Sequence, residues 1–481
     1  MQRLLLILLL IASYVQCAYA GNEPGPGYRM ENEPSGEPYD WTVTGAPEKP
    51  WKHAYHKIIV TKLALCDRKP DGSVGHIRFT FAQTLEVIRK LHNIIPDLPK
   101  VIYIVGWQFN GHDSKYPSWA QVNEHLKRPE DEDAVTSLRW LMREARIRYN
   151  TYVSLHINML DAYEDSPLWD TYVKYDIIAK HKDGSIRWSQ EWGGMRAACI
   201  SYYREWELGF AQKRIDDLVA MLPELKDAAT IHIDAFQVYD GNNRSVSEVL
   251  DHTLDDEVRT MRKIYRYWRD RYGIDVTAET FVQKRVYVKT IKGERQTVRE
   301  SFAGLQPWCW LFTIGKGEKT QYLNEFYPPQ IYSKTLLPLA PCFNRVKEGC
   351  GDVPESWTWV KRMFFTWTIP HYLRHTAMER GEPVDKEVSW DEMRRREICL
   401  PIGWRNDNSV GIYLPNRPTQ MINGVRHKTW KLPDSWKGVK KASVVAFNPE
   451  GWEPRADVAV DDCVITIPME QDDGFILKPK N

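Results

Sequence analysis

The chain lacks the features that mark several common functional classes. Lys and Arg total 65 against 64 Asp and Glu over 481 residues, a formal net charge of +1. That balance leaves no basic footprint for a nucleic-acid partner. There is no C-x-x-C pair, and no cysteine spacing reads as a zinc site. No strand-like run is followed by a Gly-rich fingerprint, which argues against an open nucleotide-binding sheet. No apolar run is long enough to span a bilayer. No internal repeat is visible, the Arg and Lys residues form no stripe, and nothing suggests a cofactor or a metal. What the chain does have is aromatic side chains, with 20 Trp and 24 Tyr. These can be plain core, and they are also what a sugar site needs, because pyranose C–H faces stack on indole and phenol rings.

The N-terminus reads as an address. Arg3 supplies a positive charge, Leu4 to Ala12 is an apolar run too short to span a membrane, and Ala18-Tyr19-Ala20 gives an A-x-A cleavage site. The expectation is a secreted or periplasmic protein cut after Ala20. Lipoprotein anchoring through Cys17 is the weaker alternative, because Gln16 is a poor small-residue substitute. Cleavage leaves seven cysteines, an odd number, so at least one thiol stays free. Cys342 and Cys350 bracket a short polar loop and could pair in an oxidising compartment.

Residues 21–54 read as an extended lead-in rich in Gly, Pro and Glu. Strand-like and helical runs then alternate. Strands are expected at Lys57–Leu63, Val101–Val105, Tyr152–Ile157, Ala229–Phe236 and Ile274–Phe281, with Ala303–Gln306 a candidate start of another. Helices are expected at Phe81–Ile94, Asp133–Arg148, Ser201–Leu222 and Leu254–Tyr272. This alternation predicts an α/β fold, a (β/α)8 TIM barrel over 55–390. From about 391 to 481 the pattern changes to short β runs, at Ser409–Leu414, Ala442–Phe447, Val458–Ile467 and Phe475–Leu477, with polar turns between them. They predict a small C-terminal antiparallel β-sandwich domain, which either braces the barrel or binds glycan.

Two of the expected strands end on an acid followed by an aromatic-containing stretch: Ile231-His232-Ile233-Asp234-Ala235-Phe236 and Val276-Thr277-Ala278-Glu279-Thr280-Phe281. Barrel enzymes place catalytic groups at the C-terminal ends of strands, and a pair of carboxyl groups is the basic equipment for cleaving a glycosidic bond. Asp234 and Glu279 are therefore the candidate catalytic pair, with Asp240 and Asp161 in reserve. The loop after Val105 concentrates Trp107, Gln108, His112 and Asp113. There a carboxylate and an imidazole could clamp a vicinal diol while the indole packs on the ring; alternatively Asp113 caps a turn and Trp107 fills the barrel mouth. The next strand brings His156 and Asn158, and Trp192 stands in the long insertion that follows.

The run Val101-Ile102-Tyr103-Ile104-Val105-Gly106-Trp107-Gln108, closed by Gly111-His112-Asp113, resembles the endo-α-N-acetylgalactosaminidases and their exo-acting relatives (glycoside hydrolase families 101 and 129). The resemblance extends to His156-x-Asn158, to Asp234 at the family's nucleophile position and to Glu279 at its acid/base position, over roughly residues 100–280. It implies a retaining α-glycosidase acting on galactose-configured sugars, N-acetylgalactosamine or galactose, within complex glycans. The endo-acting members are much longer than this chain. Alternatives left open are a plant or algal α-galactoside as substrate, and an inactive barrel that binds glycans. Endo versus exo action and oligomeric state stay open.

Overall fold

The structure is a computed structural model that describes residues 52–54, 57–236, 244–278, 284–291, 294–301, 354–380, 382, 395–415 and 419–480. The leader and its Cys17, the lead-in up to residue 51, Asp240, Glu279, the run at 303–306, and Cys309, Cys342 and Cys350 lie outside the described residues.

Five parallel strands form the central sheet: β1 (Ile59–Ala64), β2 (Lys100–Val105), β3 (Thr151–Asn158), β4 (Thr230–Asp234) and β5 (Asp275–Ala278). They lie side by side in sequence order. Among the described strands that order has no reversal, which is the arrangement of a β/α barrel and not of a doubly wound sheet around its switch point.

Register explains the burial. Lys62 pairs with Tyr103 and Tyr103 with Ser154, while His156 pairs with His232, Asn158 with Asp234 and Thr277 with His232. Because side chains alternate along a strand, these polar groups share one face. Leu63, Ile104, Leu155, Ile157 and Ile233 take the other, which packs in the main hydrophobic core. On the polar face the Tyr103 hydroxyl meets Thr230 Oγ1 at 2.6 Å. This reach over the intervening β3 fits a curled sheet with its polar face inside.

The helices between the strands are specified locally. α1 (Phe81–Ile94) begins with a capping box of Thr80 and Gln83. α2 (Ala134–Tyr149) is capped by Asp133, whose side chain accepts from the Thr136 amide. α4 (Leu254–Tyr272) starts with a Thr253–Asp256 box and stops at Gly273, left-handed at φ 67°. The helix expected over Ser201–Leu222 is in fact two, Tyr202–Glu207 and α3 (Phe210–Met221). Gly209 between them adopts φ 80°, a left-handed conformation that ends one helix and starts the next.

The C-terminal residues build two antiparallel sheets. One runs in the order 398–401, 410–413, 474–480, 441–448 and 451–454, and the other joins 420–422, 425–431 and 464–468. Val410, Val444 and Leu477 of the first meet Trp430 and Ile465 of the second in a common core, which makes this unit a sandwich. The single strand expected over Val458–Ile467 is interrupted, because Asp462 and Cys463 turn with φ 43° and 62°.

The sandwich is seated against α1 and the turn that follows it. The Trp452 indole donates to Asn93 O at 2.9 Å, and Arg405 pairs with Asp97 at 2.7 Å. A helical stretch from 354 to 379 contributes Phe365, which stacks on Tyr413 with centroids 5.7 Å apart. A Cβ added at Gly474 would come within 2.2 Å of Phe365 Cε2. Gly474→Ala is therefore expected to cost about 1–3 kcal/mol of stability, checked by thermal melting; a melting temperature equal to the parent's would show that Phe365 moves aside freely.

Candidate active site

The C-terminal ends of β2, β3 and β4 converge. Asp234 closes β4 directly beside Asn158, the last residue of β3. It is 9% exposed. His156 Nε2 lies 3.5 Å from Asp234 Oδ2, and the His156 ring sits between those of His112 and His232, at 5.2 and 5.3 Å. His112 Nε2 in turn lies 3.5 Å from Asp113 Oδ2. The structure thus gathers Asp234, His156, Asn158, His112 and Asp113 into one group. Ala278, the last described residue of β5, pairs with Ile233, the residue before Asp234.

Exposure separates the group into two layers. The side chains of Asp234, His112 and Asp113 keep 12, 18 and 16% of their surface, whereas Gln108, His156 and Asn158 keep none. Asn158 supports the turn after β3: its Oδ1 accepts from the Leu160 and Asp161 amides, and its Nδ2 donates to Asp161 Oδ2 at 2.8 Å. Trp107 corrects an expectation. It presents no face to a sugar, being wholly buried with its indole N–H donated to His156 O at 2.9 Å. Its part is to hold the β3 end against the loop after β2. Trp192 sits partly buried at the tip of a hairpin, 188–192 with 195–199, and packs against the main core.

The loop carrying these groups is held in an unusual backbone. Phe109, Asp113 and Lys115 have φ of 43°, 57° and 61°. Gly106 is needed where it is, because a Cβ there would sit 2.0 Å from Cys66 O. Left-handed non-glycine residues are uncommon and concentrate where the surrounding structure holds them for a purpose.

Beneath the exposed layer lie groups that sequence reasoning did not single out. Tyr116 and Tyr163 stack with centroids 6.4 Å apart. Burial pushes both phenols well above their ordinary pKa, and the Asp113 charge adds to this. Asp161, named only in reserve, is raised to about 7, first by burial and then by the Asp113 and Asp234 charges. His232 is lowered well below its usual value by burial, then by Lys62. The Tyr116 hydroxyl faces the Gln108 amide and the Tyr163 hydroxyl faces the Arg68 guanidinium, while Asp161 Oδ1 has no hydrogen-bond partner among the described residues. The legible signal was the tyrosine density around the loop, at Tyr116 and Tyr163. Among the described residues no group of three or more His, Cys, Asp or Glu could hold a metal ion, and no helix is long and apolar enough to cross a membrane.

The parallel β/α sheet carries carboxylates and imidazoles at its C-terminal edge, a grouping that suits glycoside hydrolysis, and the known proteins it is similar to include glycoside hydrolases. The family model of the endo-alpha-N-acetylgalactosaminidases, glycoside hydrolase family 101, matches residues 69–265, a span that holds β2, β3, β4 and every described site residue expected from the sequence. Among solved structures, the chain is similar to the alpha-N-acetylgalactosaminidase NagBb from Bifidobacterium bifidum in complex with GalNAc. Identity is 14% and the TM-score 0.37, over 46% of this chain and 34% of that one. An alpha-amylase from Geobacillus thermoleovorans matches at 10% identity and TM-score 0.38, over 89% and 100% of the two chains. An alpha-galactosidase from Thermus thermophilus matches at 13% identity and TM-score 0.31, over 46% and 37%. The chain thus spans about a third of the length of the N-acetylgalactosaminidase structure it matches.

Proposed function

We propose that the protein is a secreted retaining α-glycosidase that releases galactose-configured sugars, N-acetylgalactosamine or galactose, from complex glycans. The observation that carries this reading is the placement of Asp234: at the C-terminal end of β4, nearly buried, beside His156 and Asn158 and next to the His112–Asp113 pair, inside the span of the family match. The reading also takes the sheet as part of a closed eight-stranded barrel and places leader cleavage after Ala20.

Asp234 attacks the anomeric carbon. Its negative charge is held in a site with little water, where it is poorly screened and therefore effective against a developing oxocarbenium charge. Glu279, which follows Ala278 in the sequence, protonates the leaving oxygen and then deprotonates water. Retention requires the two carboxyl groups about 5–5.5 Å apart. Asp113 and His112 grip sugar hydroxyls, because a carboxylate only accepts while an imidazole can donate or accept. Gln108, His156, Asn158 and Trp107 fix these groups from below, and Trp192 forms part of the rim.

The test is a panel of aryl α-glycosides (N-acetylgalactosaminide, galactoside and glucoside) together with an α-linked disaccharide on serine. Turnover of a galacto-configured member with retention, followed by NMR of the first-formed anomer, is the expected result. A folded protein inert across the panel refutes the exo-acting reading, and an inverted first product refutes the nucleophile.

A further inference from the structure

Arg68 lies just after β1, on the short strand Cys66–Arg68, and none of the steps above uses it. It is 8% exposed. Its guanidinium donates from Nε to Asp113 O at 2.7 Å, from Nη2 to Trp192 O at 2.9 Å and from Nη1 to Gly193 O at 3.4 Å. The same group lies over the Tyr163 ring, 4.8 Å from its centroid. One planar cation thus ties the main chain of the proposed sugar clamp to the tip of the 188–199 hairpin, and rests on a buried phenol while doing so. A lysine carries its three donors on one nitrogen and cannot spread them over carbonyls of two separate segments in this planar way.

The backbone around Arg68 serves the same closure. A Cβ at Gly111 would lie 2.5 Å from Asp67 C, and one at Gly194 would lie 2.6 Å from Pro70 Cβ. Both glycines also have positive φ, 123° and 79°. The clamp loop and the hairpin therefore each close on the stretch Asp67–Pro70, and each does so at a position where a side chain has no room.

Resting on the glycosidase reading above, we propose that Arg68 is a positioning residue that locks the Asp113 loop to the Trp192–Gly194 hairpin and so sets the rim that grips the substrate. Arg68 holds Asp113 through its main-chain carbonyl and not through its carboxylate. The far strand of the hairpin pairs with Asp161–Ala162 just beyond β3, while its tip at Trp192 and Gly193 is tied to the clamp loop through Arg68.

The test uses Arg68→Met, which keeps the stem over Tyr163 and removes all three donors, Arg68→Lys, and Gly194→Ala as an independent lesion on the hairpin side. Hydrogen exchange by mass spectrometry reads the latch without reference to activity. The expected result is faster exchange confined to 106–117 and 188–199 in all three variants. With the best substrate of the panel, KM is expected to rise about 10-fold with kcat within about threefold, the signature of binding lost equally from ground and transition states. Unchanged exchange at both segments overturns the latch. Faster exchange with unchanged KM reduces Arg68 to a structural role and overturns its effect on substrate. If the parent enzyme turns over nothing on the panel, the glycosidase reading fails, and the exchange data still decide whether Arg68 joins the two segments.

Discussion

Replacing Asp234 with alanine is expected to lower kcat/KM on the best aryl α-glycoside by at least about 10³-fold, since removing a nucleophile removes the covalent route altogether. The fold should survive. Asp234 is the last residue of β4, and the contacts that hold that strand belong to its neighbours: Ile233 in the core and His232 bonded to Thr277 Oγ1 at 2.9 Å. Near-UV circular dichroism and the melting temperature would establish this. The comparison that assigns roles is with Glu279→Ala. An aryl oxide leaves without protonation, so a variant lacking the acid should still form the glycosyl-enzyme quickly and then stall, because water is no longer deprotonated. A burst followed by slow turnover in Glu279→Ala, and no burst in Asp234→Ala, fixes the two roles. Equal residual rates in both would sink the assignment of Asp234 as nucleophile.

Much of the fold was readable because its signals are local. α1 and α4 occupy the spans that apolar spacing marks out, since a capping box starts each. The five strands of the sheet fall within a residue or a few of their expected places. The breaks were not readable in the same way. Gly209 splits a helix, and the turn at Asp462 and Cys463 splits a strand, because backbone conformation at one residue overrides a hydrophobic pattern spread over many. Candidate site residues stood out in the sequence where the chemistry is unusual for a strand end, as at Asp234 and His156, and the structure places these two side by side. What sequence could not separate was the touching layer from the supporting one. Trp107 and Gln108 have the same residue types a sugar would use, yet both are sealed inside. Arg68 was invisible for the opposite reason: its partners are backbone carbonyls 45 and 124 residues away, which no motif spells out.

The buried carboxyl of Asp161 supplies a second large effect, this one on stability. Asp161 is 3% exposed, holds Asn158 Nδ2 at 2.8 Å, and has Asp113 and Asp234 as charged neighbours. Its pKa rises from 3.8 to about 7 on folding, with burial the first cause. The folded state therefore keeps a proton that the unfolded chain gives up, and the slope of stability with pH follows from that difference. The contribution is fully present below about pH 3.8 and is lost as pH rises towards about 7, beyond which it levels off. At about 1.36 kcal/mol for each pKa unit the ceiling is roughly 4 kcal/mol. Asp161→Asn substitutes the neutral isostere: its amide oxygen can still accept from Asn158, and no charge has to be buried. The variant is expected to be more stable than the parent by about 2 kcal/mol at pH 8, with the gap closing as pH falls to 4. Paired urea titrations at pH 4, 6 and 8 measure this directly. The two carboxylates beside Asp161 set the direction of the test, because ionising it adds a third negative charge to a site already holding those of Asp113 and Asp234. A gap that stays constant across the three pH values would mean that Asp161 is ionised in the folded protein throughout, with its charge compensated from elsewhere in the site.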